Sequence, residues 1–175
     1  MGDLGRGVFV APEIPAFFRD VAIPQANIVT PNLFELALLT GTEVESLDRI
    51  DTVVEAAESL RSVGPDHVLI TSVETPEAAQ GEISMLLLCP EGRFLVSTPQ
   101  LSFPIAPNGS GDATAALFLG HYLTHGRAER SLQLMSAGIY ALFDATWRAG
   151  TRELQIIQAQ AQVVDPTDLF RVRRL

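Results

Sequence analysis

The sequence predicts an α/β fold with a mostly parallel sheet and an antiparallel hairpin toward one edge. Helical and strand-like patterns alternate over the first half of the chain, and helical patterns fill the second half. The apolar run 67–71 is typical of a strand that is buried on both faces. Two further runs, 83–88 and 94–97, flank a turn that contains proline and glycine, and they predict the hairpin.

Local signals predict the remaining elements. Pro12 and Pro15 frame the start of a first helix, Gly41 can cap a second, and Gly64 with Pro65 ends a third. In the first half, the sequence predicts strands at 8–10 and 26–29 and helices at 14–21, 33–39 and 50–63. After an irregular proline-rich segment, it predicts helices at 112–124, 130–147 and 152–163.

Composition narrows the possible functions. The 175 residues are 47% hydrophobic and 19% charged, which suits one domain, or part of a larger one, and argues against disorder. The net charge of −9 argues against nucleic acid as a partner. All 12 basic residues are arginines. Since a Walker loop needs a lysine, any bound phosphate has to be neutralised by arginine, backbone dipoles or a metal ion.

Other residue types exclude further classes of site. Cys89 is the only cysteine, so neither an intrachain disulfide nor a cysteine metal cluster can form, and its apolar surroundings predict a buried thiol. His121 and His125 lie four residues apart on a predicted helix, but their surroundings contain no zinc motif. The apolar runs are too short to cross a bilayer, which predicts a cytoplasmic protein with no membrane partner.

The most informative segment is 107–113, with the sequence PNGSGDA, at the start of a predicted helix. Its two glycines allow a tight turn in which backbone N–H groups converge, and the helix dipole favours an anion at the same point. Asp112 adds a carboxylate, which suits a base that takes a hydroxyl proton during phosphoryl transfer. The alternative is an ordinary helix start that Ser110 caps.

Asn32 and Glu35 lie three residues apart at the start of the predicted helix 33–39, so they share one face of it. An amide and a carboxylate placed in this way can hold a magnesium ion through its water ligands. The alternative is a capping box, in which Asn32 caps the helix and Glu35 reaches back to it.

Hydroxyl groups follow two of the predicted strands. Thr71 and Ser72 follow the buried strand, and they can bind phosphate oxygens or simply end the strand. Thr30 follows the strand 26–29. Because ligands of α/β sheets gather at the carboxyl ends of the strands, these three residues and the 107–112 loop are candidates for one crevice.

In their order and spacing, these segments resemble the ribokinase-like superfamily, and specifically its pyridoxal kinase branch. The matching segments are 1–3 (MGD), 28–32 with Glu35, 68–72 (VLITS), 107–112, and 152–155 (RELQ) with 159–160. The last of them is similar to pyridoxal kinases rather than to sugar kinases. The resemblance runs from the first residue to the last, and it implies a three-layer α/β/α fold.

The resemblance implies ATP-dependent phosphorylation of the 5′-hydroxymethyl group of pyridoxal, or of a related vitamin B6 form, with magnesium and in many members a monovalent cation. Asp112 is then the catalytic base and contacts the substrate hydroxyl. The implied nucleotide-binding residues are Asp3, Thr30, Asn32, Glu35, Thr71, Ser72, Thr98, Pro99, Gln100, Leu101, Asn108, Gly109, Ser110 and Gly111. Of these, Thr30, Asn32 and Glu35 would also serve the metal.

Compared with the family pattern, a long amino-terminal portion that includes contacts to the pyridine ring is missing. We therefore expect residues 1–175 to be the C-terminal, ATP-binding part of a single ribokinase-like domain. A sheet cut at this point exposes an edge, which predicts a homodimer or stronger self-association. Two alternatives stay open: a kinase for hydroxymethylpyrimidine, a sugar or a nucleoside, and a nucleotide-binding remnant without catalysis.

Overall fold

The computed structural model describes residues 1–75 and 79–175, and it divides into two compact units. Unit 1 comprises residues 1–95 together with Arg174 and Leu175, and unit 2 comprises residues 96–173. The chain passes from the first unit to the second within a strand.

Unit 1 alternates strands with helices. The short strands β1 (Gly2–Asp3) and β2 (Gly7–Val8) pair antiparallel. The helix α1 (Ile14–Phe17) continues as a π-helical turn (Phe18–Ala22) and a 3₁₀ turn (Ile23–Gln25). The next elements are β3 (Ile28–Val29), α2 (Leu33–Thr40), a 3₁₀ turn (Val44–Ser46), α3 (Ile50–Arg61), β4 (His67–Val73), β5 (Glu82–Cys89) and β6 (Gly92–Pro99).

The larger sheet is mixed and has five strands in the order β3-β4-β5-β6-β7, where β7 is Val172–Arg174. β3 pairs parallel with β4, and β4 pairs antiparallel with β5. A turn at residues 90–91 joins β5 to β6, which confirms the predicted hairpin.

The core of unit 1 forms where α2 and α3 pack on β4 and β5. Leu36 of α2, Val53 of α3 and Ile70 of β4 are completely buried in it. Leu69, on the opposite face of β4, is also completely buried, so the prediction of a strand buried on both faces is confirmed. The thiol of Cys89 is buried as predicted, and burial raises its pKa.

Unit 2 is helical, with α4 (Ser110–His125), α5 (Ala128–Ala149) and α6 (Gln160–Val164). Its core includes Phe118 of α4 and Leu132, Met135 and Leu142 of α5. Among residues 1–75 and 79–175, no helix combines the length and the apolar character that a membrane crossing requires.

Several predicted elements are wrong in detail. The helix predicted at 152–163 is restricted to Gln160–Val164, because the segment before it instead runs beside the loop at Asn108. The strand predicted at 8–10 is Gly7–Val8, and the helical stretch predicted at 14–21 extends to residue 25. The sequence analysis also missed the short strands β1 and β7.

Candidate functional site

The backbone at the start of α4 is set by Gly109. Its φ of +78° is left-handed, a conformation that side chains rarely tolerate. The first helical hydrogen bond is donated by the N–H of Ala113 to the carbonyl oxygen of Gly109, at 2.9 Å. The N–H groups that precede Ala113 therefore have no acceptor within the helix. Ser110 is the first helical residue and makes no capping hydrogen bond, so the prediction that it caps the helix is wrong.

Gly111 and Asp112 leave this helix end open. A Cβ atom built on Gly111 would have no described atom within 4 Å, so packing inside the chain does not require glycine there. Asp112 is exposed in the first turn of α4, next to these N–H groups. The arrangement places hydrogen-bond donors, the positive end of a helix dipole and a carboxylate side by side at the surface.

Asn108 ties the loop before α4 to the segment after α5. Its backbone N–H donates to the carbonyl oxygen of Arg152 at 3.1 Å, and its Nδ2 donates to Oε1 of Glu153 at 3.3 Å. Nη2 of Arg152 lies 3.5 Å from Oδ1 of Asn108. The side chain of Asn108 therefore holds the loop in place. Sequence reasoning noted the segment 152–155 but found none of these contacts, because they join residues more than 40 positions apart.

In unit 1, Asn32 and Glu35 form the capping box that the alternative interpretation predicts. Oδ1 of Asn32 accepts from the N–H of Glu35 at 2.8 Å, and Oε2 of Glu35 accepts from the N–H of Asn32 at 3.1 Å. Nδ2 of Asn32 donates to the carbonyl oxygen of Gly2, and the amine of Met1 pairs with Oε1 of Glu35. The proposed role in metal binding stays a prediction.

The capping box lies next to the end of β4. Asn32 forms a parallel bridge with Thr71, whose N–H donates to the carbonyl oxygen of Pro31 at 3.0 Å. The carboxyl ends of β3 and β4 therefore meet, as predicted, and they bring half-buried Thr30 and Thr71 to one edge of unit 1. Ser72 follows in an irregularity of the β4–β5 pairing, exposed and with φ of +55°.

Asp3 is the last residue of β1, directly before the turn to β2, and its carboxylate is bound by residues of that turn. It pairs with the guanidinium of Arg6 at 2.6 Å and accepts from the N–H groups of Gly5 and Arg6. The hydrogen bond from Arg6 lowers the pKa of the Asp3 carboxyl, and the two backbone donors act in the same direction.

The predicted segment 98–101 lies at the end of β6 and continues into the irregular stretch that follows. Thr98 is buried, Pro99 and Gln100 are exposed, and Leu101 is half-buried. The predicted site residues thus form two groups, each within one unit. Unit 1 holds Asp3, Thr30, Asn32, Glu35, Thr71 and Ser72, and unit 2 holds 98–101 and 108–112.

Outside these two groups, the titratable side chains of residues 1–75 and 79–175 form no cluster that could hold a metal ion. Within the described ranges, no three histidine, cysteine, aspartate or glutamate side chains are grouped so that they could hold a metal ion. The rings of His121 and His125 stack with their centroids 6.0 Å apart.

Comparison with known proteins gives consistent matches. The model of the phosphomethylpyrimidine kinase family matches residues 5–156. The chain is 47% identical over 176 residues to pyridoxal kinase PdxY of Rubrobacter xylanophilus, a match that covers 100% of this chain and 59% of that protein. It is also 47% identical to pyridoxal kinase PdxY of Deinococcus radiodurans, with the same coverage. The chain therefore spans 59% of the length of these curated relatives.

The fold agrees with these matches. The crystal structure of pyridoxal kinase from Trypanosoma brucei superposes with a TM-score of 0.80 at 26% identity, over 95% of this chain and 57% of that one. Its ribokinase-like α/β architecture is the one that the sequence resemblance implies. Because the family model covers most of the chain, the chain belongs to the phosphomethylpyrimidine kinase family, and within it resembles the pyridoxal kinases.

Proposed function

We propose that this chain is the ATP-binding part of a kinase that transfers the γ-phosphoryl group of ATP to the 5′-hydroxymethyl group of pyridoxal, giving pyridoxal 5′-phosphate. The observation that carries the proposal is the start of α4. There, exposed Asp112 stands beside N–H groups that the helix leaves without acceptors. Curated relatives at 47% identity that are pyridoxal kinases support the choice of substrate.

In this proposal Asp112 is the catalytic base. Its carboxylate takes the proton of the attacking hydroxyl group while the hydroxyl oxygen bonds to the γ-phosphorus and the bond from phosphorus to the leaving ADP breaks. The N–H groups of Gly109, Ser110 and Gly111 stabilise the negative charge on the transferring group. No lysine of this chain assists them, since the 175 residues contain none.

The group in unit 1 suits the phosphates and a hydrated magnesium ion. Both oxygens of Glu35 already accept a hydrogen bond, but each carboxylate oxygen can accept another, so contact through a metal-bound water fits this geometry. Asn32 and Thr30 would complete the group around the ion, and Thr71 and Ser72 would bind phosphate oxygens. Magnesium, when bound, would offset the negative charge of the nucleotide's phosphate groups.

The resemblance to pyridoxal kinases supports three further parts of the proposal. A monovalent cation assists the reaction, the protein assembles as a homodimer or a larger oligomer, and it acts in the cytoplasm. Each depends on the family resemblance described above.

The test combines calorimetric titration with Mg-ATP and an assay for pyridoxal-dependent release of ADP. We expect Asp112→Asn to bind nucleotide as the unchanged chain does but to lose about 10²- to 10⁴-fold in turnover, because a general base contributes that much. Asp168→Asn, a change at another exposed aspartate of unit 2, is the matched control and should alter neither quantity. Unchanged turnover in Asp112→Asn would refute the catalytic role. Nucleotide binding without turnover in the unchanged chain would favour the non-catalytic alternative.

A second candidate is a kinase that acts on hydroxymethylpyrimidine, because the matching family model is described as phosphomethylpyrimidine kinase. The same assay separates the two when pyridoxal and hydroxymethylpyrimidine are compared as acceptors. A higher kcat/KM for the pyrimidine would overturn the assignment to pyridoxal and leave the proposed roles of the α4 residues intact.

A further inference from the structure

A short segment after α5 supports the loop that begins α4. Arg152 and Glu153 hold the backbone and the side chain of Asn108, and a Cβ atom built on Gly109 would lie 3.7 Å from Cδ1 of Leu154. The segment 152–154 thus binds Asn108 directly and lies close to Gly109, the two residues that precede the helix. Its own position therefore determines where the N–H groups at the start of α4 point.

This supporting segment is itself anchored to α5 by one buried hydroxyl group. Thr146 is completely buried, and its Oγ1 donates to the carbonyl oxygen of Leu142 at 2.7 Å. The same Oγ1 accepts from the backbone N–H of Gln155 at 3.1 Å. The hydroxyl group therefore donates one hydrogen bond within α5 and accepts another from Gln155, and the second bond fixes the end of the segment.

The side chain of Gln155 adds a second restraint. Its Nε2 donates to the carbonyl oxygen of Glu153 at 2.9 Å and lies 3.3 Å from Oγ1 of Thr151. Oγ1 of Thr151 in turn donates to the carbonyl oxygen of Glu153 at 2.9 Å. The segment is therefore closed into a small hydrogen-bonded turn.

We propose that Thr146 and Gln155 are positioning residues: they hold the segment 152–154, and through Asn108 they hold the N–H groups at the start of α4 in the geometry that grips a phosphate. This inference rests on the proposed function, since it assigns the phosphate to that helix end.

The test uses Thr146→Val, which keeps the shape of the side chain and removes the hydroxyl group. Hydrogen–deuterium exchange of the peptide that spans residues 105–114 reports on the loop, and calorimetry reports on binding of Mg-ATP. We expect exchange in this peptide to become about threefold to tenfold faster and the affinity for Mg-ATP to fall by a similar factor, as the loss of one hydrogen bond implies. Thr146→Ser keeps the hydroxyl group, so its loop exchange and its nucleotide affinity should match those of the unchanged chain.

Ser131→Ala is the matched control. Ser131 is also completely buried on α5, and its hydroxyl group donates to the carbonyl oxygen of Arg127, outside the supporting segment. We expect it to leave loop exchange and nucleotide affinity unchanged. Gln155→Leu, at a half-buried position, provides a second variant that should speed loop exchange even where Thr146→Val does not fold.

The outcomes separate this inference from the proposed function. Unaltered exchange of residues 105–114 in Thr146→Val, or the same increase in Ser131→Ala, would overturn the positioning role. An unchanged chain that binds no Mg-ATP would refute the proposed function, and the exchange measurements would still decide whether Thr146 orders the loop.

Discussion

Gly111→Ala should make the protein more stable and yet weaken its binding of ATP. The position is helical and exposed, and the added methyl group has no described atom within 4 Å. Alanine in place of a helical glycine contributes up to about 1 kcal/mol, less near a helix end. For a chain of this length that corresponds to an increase in Tm of about 1–4 °C.

The same substitution should lower the affinity for the nucleotide. In the proposed site the phosphate approaches the backbone at Gly111, and a methyl group there displaces it from the N–H donors. Loss of a hydrogen bond to a charged group costs about 1.5–3 kcal/mol, which corresponds to about a 10- to 100-fold weaker binding of Mg-ATP. Calorimetric titration measures the affinity, and thermal unfolding followed by circular dichroism measures the Tm.

Gly120→Ala is the matched control, because Gly120 is an exposed glycine of the same helix that also has no described atom within 4 Å of an added Cβ. It should raise the Tm at least as much, because Gly120 lies farther from the helix end, and leave the affinity for Mg-ATP unchanged. If Gly111→Ala binds Mg-ATP as tightly as Gly120→Ala does, the phosphate does not lie against this backbone and the proposed anion site is refuted.

Two further predictions concern stability. Asn32→Ala removes the cap of α2 and the hydrogen bond to β1, and we expect it to lower the free energy of unfolding in urea by about 1–3 kcal/mol, whereas Asn32→Asp should recover the part that comes from the cap. Burial lowers the pKa of His67 and of His121, so the folded state disfavours their protonation. Stability should therefore be constant above the ordinary histidine pKa of about 6.5 and decline as the pH falls below it, since the unfolded chain binds protons there first. Thermal unfolding between pH 5 and 8 measures this decline in stability, and His121→Gln should make it smaller. An equal decline in that variant would show that protonation of His121 does not contribute to it.

Local signals in the sequence were sufficient for the parts of the fold whose partners lie nearby. The capping box of α2 is formed by two residues three positions apart. The hairpin of β5 and β6 could be predicted from two apolar runs and the turn between them. The glycine-rich start of α4 could also be predicted, because its two glycines and Asp112 lie within four consecutive positions of the chain.

The supporting segment could not be predicted because its partners are distant in sequence. Its apolar spacing is compatible with a helix, and the sequence analysis therefore extended a helix over 152–163. In the structure, the segment instead makes its hydrogen bonds with Asn108 and with Thr146. A buried hydroxyl group such as that of Thr146 carries no pattern that distinguishes it from other small residues on the same helix. The strands β1 and β7, of two and three residues, were too short to give a periodic signal.

The two helix starts of the predicted site differ in a way that bears on function. At α2 the chain satisfies the helix end itself, with the side chain of Asn32 and the carboxylate of Glu35. At α4 it places a glycine before the helix, and no side chain caps the first turn. A capping side chain in place of no cap stabilises a helix by about 0.5–2 kcal/mol, so of these two helices it is α4 that forgoes this stabilisation. The helices α1, α5 and α6 also begin without a side-chain cap, but none of them has a glycine at the position before the helix. In the proposed site an external anion supplies the missing acceptors at α4, where Gly109 precedes the helix and the backbone N–H groups of its first turn have no acceptor within it.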